Sequence, residues 1–142
     1  MKIDLGVLAL AGLGLALAGC GSTRPPGASG GGVKIKATRT IQTPAGQESM
    51  IGLWPTVDKD CRPDVREVRL TQSAAHGASR LDKPPATLGE KELAACQAGE
   101  KPGYRLYYRP KAGFAGVDVL TVEVAHPSSG GRMDMTINVN VR

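Results

Sequence analysis

The sequence predicts an all-β fold, and two stretches carry the prediction. Tyr104 to Val124 reads Tyr-Arg-Leu-Tyr-Tyr-Arg-Pro-Lys-Ala-Gly-Phe-Ala-Gly-Val-Asp-Val-Leu-Thr-Val-Glu-Val, two alternating runs joined by a corner. From Arg132 to Arg142, Met133, Met135, Ile137, Val139 and Val141 alternate without a break with Arg132, Asp134, Thr136, Asn138, Asn140 and Arg142. Period two is what a strand with one buried face requires. A chain of 142 residues has room for one small domain once any processed segment is set aside.

Taken in order, Val33 to Ile41 opens the domain as a strand, with Val33, Ile35 and Ala37 against Lys34, Lys36 and Thr38. Its lysines suit an exposed edge. Pro44-Ala45-Gly46 is a turn, and Ser49 to Trp54 is a short strand that stops before Pro55. Trp54, the single tryptophan, is expected in the core, near a disulfide by analogy with antibody domains, with an exposed sugar-stacking platform as the alternative. Val57 to Asp64 is a polar loop, and Val65 to Gln72 alternates again through Val68 and Leu70. Ser73 to Pro85 reads as a turn and loose connection, and Lys91 to Cys96 as one helical turn. Leu106 and Tyr108 then oppose Arg105, Tyr107 and Arg109 until Pro110, which lacks a ladder N–H. Beyond Gly113 and Gly116, Leu120, Val122 and Val124 face one way and Val119, Thr121 and Glu123 the other. His126 to Gly131 is a hairpin loop, and the strand that follows is expected to complete the domain.

The corner also carries a resemblance. Tyr108-Arg-Pro110, Gly113-Phe114-Ala-Gly116-Val-Asp118 and Leu-Thr-Val-Glu-Val are similar to the Tyr-Thr-Pro, Gly-Phe-x-Gly-x-Asp, Phe-Thr-Tyr-x-Val signature of bacterial cadherin-like and immunoglobulin-like repeat domains. Leu120 and Val122 stand where that family has Phe and Tyr, and both keep an apolar residue inward. Ala75-His76-Gly77 resembles the Pro-x-His-Gly turn of the same repeats. The resemblance covers roughly residues 64 to 142 and implies an immunoglobulin-like antiparallel β-sandwich of about seven strands; members serve as adhesins, spacers and enzyme appendages, so it implies no single function.

The N-terminus predicts a location. Met1-Lys2-Ile3-Asp4 precedes an uncharged Leu, Ala and Gly run from Leu5 to Ala18, too short to span a bilayer comfortably. It ends in Leu17-Ala18-Gly19-Cys20, which resembles the bacterial lipobox. That resemblance implies cleavage before Cys20 and lipidation of Cys20, so that residues 1–19 are a signal peptide and residues 20–32 a lipidated cysteine with a Gly, Pro and Ser tether. Residues 33–142 are then the folded domain. Gly21, where Asp would favour inner-membrane retention, points by analogy to the periplasmic face of the outer membrane. A tether of this composition spans on the order of 20 Å as a coil, with Pro25-Pro26 stiffening its middle.

Setting Cys20 aside leaves Cys61 and Cys96, an even pair in an oxidising compartment, and a disulfide is the expected state. A metal pair or reactive thiol is the alternative; neither cysteine has a neighbouring His or a CxxC partner. The formal net charge of +5 is mild, and no Lys/Arg cluster forms a nucleic-acid footprint, so no nucleic-acid partner is expected. No nucleophile, metal or phosphate-loop motif appears, and neither a catalytic residue nor a cofactor or metal is expected. His76 and His126 fall in turns, and Asp118, a lone carboxylate, is expected to cap backbone N–H groups of a turn rather than bind calcium. The candidate interaction face is Arg105, Tyr107 and Arg109, with an inward Tyr107 as the weaker alternative. Together these features predict a membrane-anchored, non-catalytic module that contacts an envelope protein or cell-wall polymer. An assembly or stability factor for an envelope machine is the alternative, followed by a metal carrier or enzyme.

Overall fold

The structure is a computed structural model that describes residues 33–127 and 129–142. The expected signal peptide, the expected lipidation site Cys20 and the expected 20–32 tether lie outside these residues. Seven strands and one helix follow in order: β1 (Lys34–Thr43), β2 (Ser49–Pro55), β3 (Glu67–Gln72), β4 (Gly77–Asp82), α1 (Glu90–Gln97), β5 (Gly103–Pro110), β6 (Gly116–His126) and β7 (Gly131–Val141). One sheet has the order β1-β7-β6-β3 and the other β2-β5-β4. This is the expected all-β sandwich of seven strands.

The pairing follows from a parity argument. Each connection reverses the chain, so odd-numbered strands run one way and even-numbered strands the other. The pairs β2–β5, β4–β5, β3–β6 and β6–β7 each join an odd strand to an even one and are antiparallel. The pair β1–β7 joins two odd strands, and it is parallel over ten residue pairs from Lys34↔Arg132 to Thr43↔Val141. This one ladder departs from the antiparallel pairing of the rest, because the first strand lies beside the last rather than beside the second.

The same parity gives the sandwich two unlike poles. The 56–66 loop, the 83–102 segment with α1, the β6–β7 hairpin and the entry of the chain at Val33 share one pole. The β1–β2 turn, the β3–β4 turn, the β5–β6 corner and Arg142 share the other, where the Ala45 N–H donates to the Arg142 carbonyl at 2.9 Å.

Between the sheets lies a core built from the inward half of each alternation. Val68, Leu120, Val122, Val124, Ile137, Val139 and Val141 of the larger sheet meet Ile51, Trp54, Leu106 and Tyr108 of the smaller one. Each such side chain contributes roughly 1.5–3 kcal/mol by leaving water. Trp54 is a core residue, 6% exposed, which excludes the stacking platform. A bulge between Met50 and Gly52 resets the alternation of β2, so that Ile51 and Trp54 are both buried. Gly52 leaves the space that the indole fills, since a Cβ there would lie 2.5 Å from Trp54 Cη2.

β1 is an edge strand, as its lysines suggest, and Val33 and Ile35 at its start are exposed. Three expectations are corrected. Val65, read as the start of a strand, precedes β3 and is 63% exposed. Gly77 to Asp82, read as loose connection, is the edge strand β4; Gly, Ala, Ser and Asp have little strand preference, and pairing with β5 decides its conformation. The helix runs eight residues rather than one turn, with the Glu92 carboxylate accepting the Gly89 N–H at 3.0 Å.

Cys61 and Cys96 are disulfide-bonded, with Cα atoms 6.0 Å apart. The bridge ties the 56–66 loop to α1 and lies outside the core cluster that contains Trp54, so the antibody analogy for its position does not hold. Cys61 sits at φ 61°, a left-handed conformation that is uncommon without glycine.

Candidate functional site

Pairing decides which side chains share the outer face of the smaller sheet. Leu106 and Tyr108 are fully buried, so the intervening Arg105, Tyr107 and Arg109 face outward and the inward-Tyr107 alternative is excluded. Register places Met50 of β2 and Arg80 of β4 on either side of Tyr107. Leu53 and Asp82 flank Arg105 in the next row. Met50 is 51% and Leu53 41% exposed, large values for apolar side chains in mid-strand. The Arg80 guanidinium carbon lies 4.3 Å from the centre of the Tyr107 ring. That guanidinium is held by the carboxylates of Glu48, at 3.1 Å, and Asp82. Tyr107 is thus braced by a fixed cation–π contact.

Arg105 and Arg109 differ from Arg80. Neither forms an ion pair among the described residues, and Arg105 makes only a long 3.5 Å hydrogen bond to the Lys101 carbonyl. The face therefore combines two guanidinium groups without an ion pair among the described residues, a tyrosine in contact with a third, and two apolar side chains. Arginine and tyrosine are enriched where binding energy concentrates. The sequence brought out only the three β5 residues; Met50, Leu53 and Arg80 were missed because their adjacency depends on the β2 bulge and on a strand that composition disguises.

At the opposite pole from the disulfide, Asp118 organises the corner. Its parity with Leu120 puts it on the inner face, where it is 3% exposed. Its carboxylate accepts the N–H groups of Ala75 at 2.9 Å, His76 at 2.8 Å and Val119 at 3.0 Å, and the Tyr108 hydroxyl at 3.0 Å. Burial raises its pKa, and the hydrogen bonds from His76, Ala75, Tyr108 and Val119 more than offset this, leaving it below the ordinary carboxylate value. Burial, with the carboxylate beside it, pushes the Tyr108 phenol well up, so it stays a donor. Asp118 does cap a turn as expected. The turn is the β3–β4 connection more than forty residues away in sequence rather than its own corner.

The histidines are built into opposite poles. His76 stacks on Phe114 with ring centres 4.5 Å apart and planes 9° apart, and its carbonyl accepts the Lys111 N–H at 2.9 Å. His126 Nδ1 lies 4.0 Å from the Asp64 carboxylate. Asp118 near one end of β6 and His126 at the other are separated by roughly 27 Å of strand, so the two histidines share no site. Among the described residues no group of three or more His, Cys, Asp and Glu side chains could hold a metal ion. No described helix is long and apolar enough to cross a membrane. A cleft of about 450 Å³ opens at the disulfide pole, lined by Val65, Arg66, Pro84, Pro85, Leu88 and Tyr104 among others. Arg66 pairs with Asp64 there, its Nε donating at 3.0 Å, so its charge is already met.

No protein-family model and no curated protein matches the chain. Among solved structures, it is similar to amebosin at 13% identity and a TM-score of 0.45, covering 78% of this chain and 100% of that one. It is also similar to PbICP-C, solved in complex with falcipain-2, at 15% identity and a TM-score of 0.38, covering 78% and 98%. Likenesses at this level say nothing of a ligand or partner.

Proposed function

We propose that this chain is a lipid-anchored periplasmic protein of the outer membrane whose β-sandwich acts as a non-catalytic binding module for an envelope protein or cell-wall polymer. The observation that carries this reading is the outer face of the β2-β5-β4 sheet. There the braced Tyr107 stands between Arg105 and Arg109, neither ion-paired among the described residues, with Met50 and Leu53 beside it. Such a face favours a partner with acidic groups: desolvating a guanidinium is offset only where a carboxylate or phosphate meets it. Tyr107 and the two apolar side chains supply the apolar contact.

The lipobox at Leu17 to Cys20 and the tether behind it support the anchored location. Acyl chains contribute about 0.8 kcal/mol per buried methylene, so two or more hold a protein firmly without a spanning helix. The test is photocrosslinking in intact cells from a probe replacing Tyr107, with identification of what is captured. Capture of one acidic envelope protein or cell-wall fragment, abolished by Arg105→Glu, is the expected result. Expression and acylation with no capture would remove this face from consideration.

A further inference from the structure

We infer that the disulfide pole of the sandwich rests on the lipid leaflet that holds the anchor, with Val65 of the 56–66 loop and Leu93 of α1 meeting the headgroup boundary. This rests on the lipid-anchored reading above and adds an orientation and a contact surface to it.

The chain enters the described domain at Val33, whose carbonyl accepts the Arg132 N–H at 3.1 Å at the start of the β1–β7 ladder. Parity puts that entry at the same pole as the 56–66 loop, α1, the Cys61–Cys96 bridge and the β6–β7 hairpin. Only twelve residues separate Cys20 from Val33, on the order of 20 Å as a coil. The far pole is displaced by a further 35 Å or so, the length of an eleven-residue strand at roughly 3.3 Å per residue. A coil of that length therefore holds the near pole against the bilayer, whereas seating the far pole there would need the tether drawn out toward its full reach of roughly 45 Å.

The distribution of exposed apolar side chains agrees. Among the described residues, Val33 at 72%, Ile35 at 55%, Val65 at 63% and Leu93 at 42% are exposed at the anchored pole, against Met50 at 51% and Val117 at 57% near the far one. The disulfide fixes the loop carrying Val65 to the helix carrying Leu93, so the two project from one braced unit. Interfacial binding scales with the apolar area inserted, and a surface already tethered there needs little of it. In this orientation the strands stand away from the membrane and the Arg105–Tyr107–Arg109 face looks sideways along it.

The test uses the full acylated protein in vesicles of phosphatidylethanolamine and phosphatidylglycerol containing a short-range quencher lipid. A fluorophore is placed either at Lys59→Cys, on the 56–66 loop, or at Ala45→Cys, in the β1–β2 turn. Flotation with the vesicles, lost in Cys20→Ser, checks the anchor separately; a wild-type protein that does not float overturns both readings. Given flotation, the expected result is loss of most emission at position 59 and little at position 45. Equal quenching at the two positions, or more at 45, overturns the orientation alone. In Val65→Glu/Leu93→Glu, with both sites exposed and folding checked by thermal melt, flotation should persist while quenching at 59 falls toward the value at 45. Unchanged quenching in that variant overturns the contact.

Discussion

Replacing Asp118 by Asn keeps the shape of the side chain and removes its charge, which isolates what the carboxylate does for the corner. Four donors converge on it: the N–H groups of Ala75, His76 and Val119 and the hydroxyl of Tyr108. An amide offers one acceptor oxygen and sets an NH₂ against the remaining donors, so at least one of them is left without an acceptor. Hydrogen bonds to a charged group are worth about 1.5–3 kcal/mol each, and a buried donor left unpaired costs about 1–3 kcal/mol. Relaxation recovers part of this, and Asp118→Asn is expected to lose about 3 kcal/mol, a large share of the roughly 5–15 kcal/mol available to a small domain. Urea unfolding at pH 7 measures the loss, and the melting temperature should fall by roughly 10–20 °C. The pH dependence supplies a second signature. Because the folded-state pKa lies below the ordinary 3.8, the wild type keeps this stabilisation above pH 4 and loses it as pH falls through the folded value. Asp118→Asn should remove that part of the acid limb. A variant within about 0.5 kcal/mol of wild type, with the acid limb unchanged, would refute the claim that this carboxylate holds the β3–β4 turn to the corner.

Other outcomes follow from the same structure. Tyr108→Phe removes one donor to that carboxylate and should cost about 1–2 kcal/mol, with a double-mutant cycle against Asp118→Asn showing coupling rather than additivity. Reducing the Cys61–Cys96 bridge, which spans 35 residues, should lower stability by about 4 kcal/mol in the chain-entropy account, read as a drop in urea midpoint under reducing conditions. Thr43 is 4% exposed and its hydroxyl finds no hydrogen-bond partner among the described residues, so Thr43→Val should be neutral or stabilising by up to about 1 kcal/mol in a thermal melt. Gly77→Ala should destabilise by about 1–3 kcal/mol, since the added methyl would meet the Tyr108 ring and the Arg109 carbonyl; an unchanged unfolding midpoint would show that β4 can shift aside.

Much of this molecule follows from local pattern. The alternation of residues 104–124 and 132–142 fixed β5, β6 and β7 and the inward faces of all three, because a half-buried strand must repeat every two residues. The pairing of Cys61 with Cys96, expected once Cys20 was set aside, is the bridge that forms. Those features depend on chain chemistry that any window of a few residues displays.

What local pattern could not decide was adjacency. The parallel β1–β7 ladder and the strand character of Gly77–Asp82 come from pairing with partners distant in sequence. So do the grouping of Met50, Leu53 and Arg80 around Tyr107 and the reach of Asp118 to the β3–β4 turn. A strand's own residues specify which of its faces is apolar, but the identity of its neighbour is set by which arrangement of all seven strands buries those faces together. The sequence alone therefore determined the kind of fold and its inward residues, while the tertiary structure decided which outward residues stand together on one face.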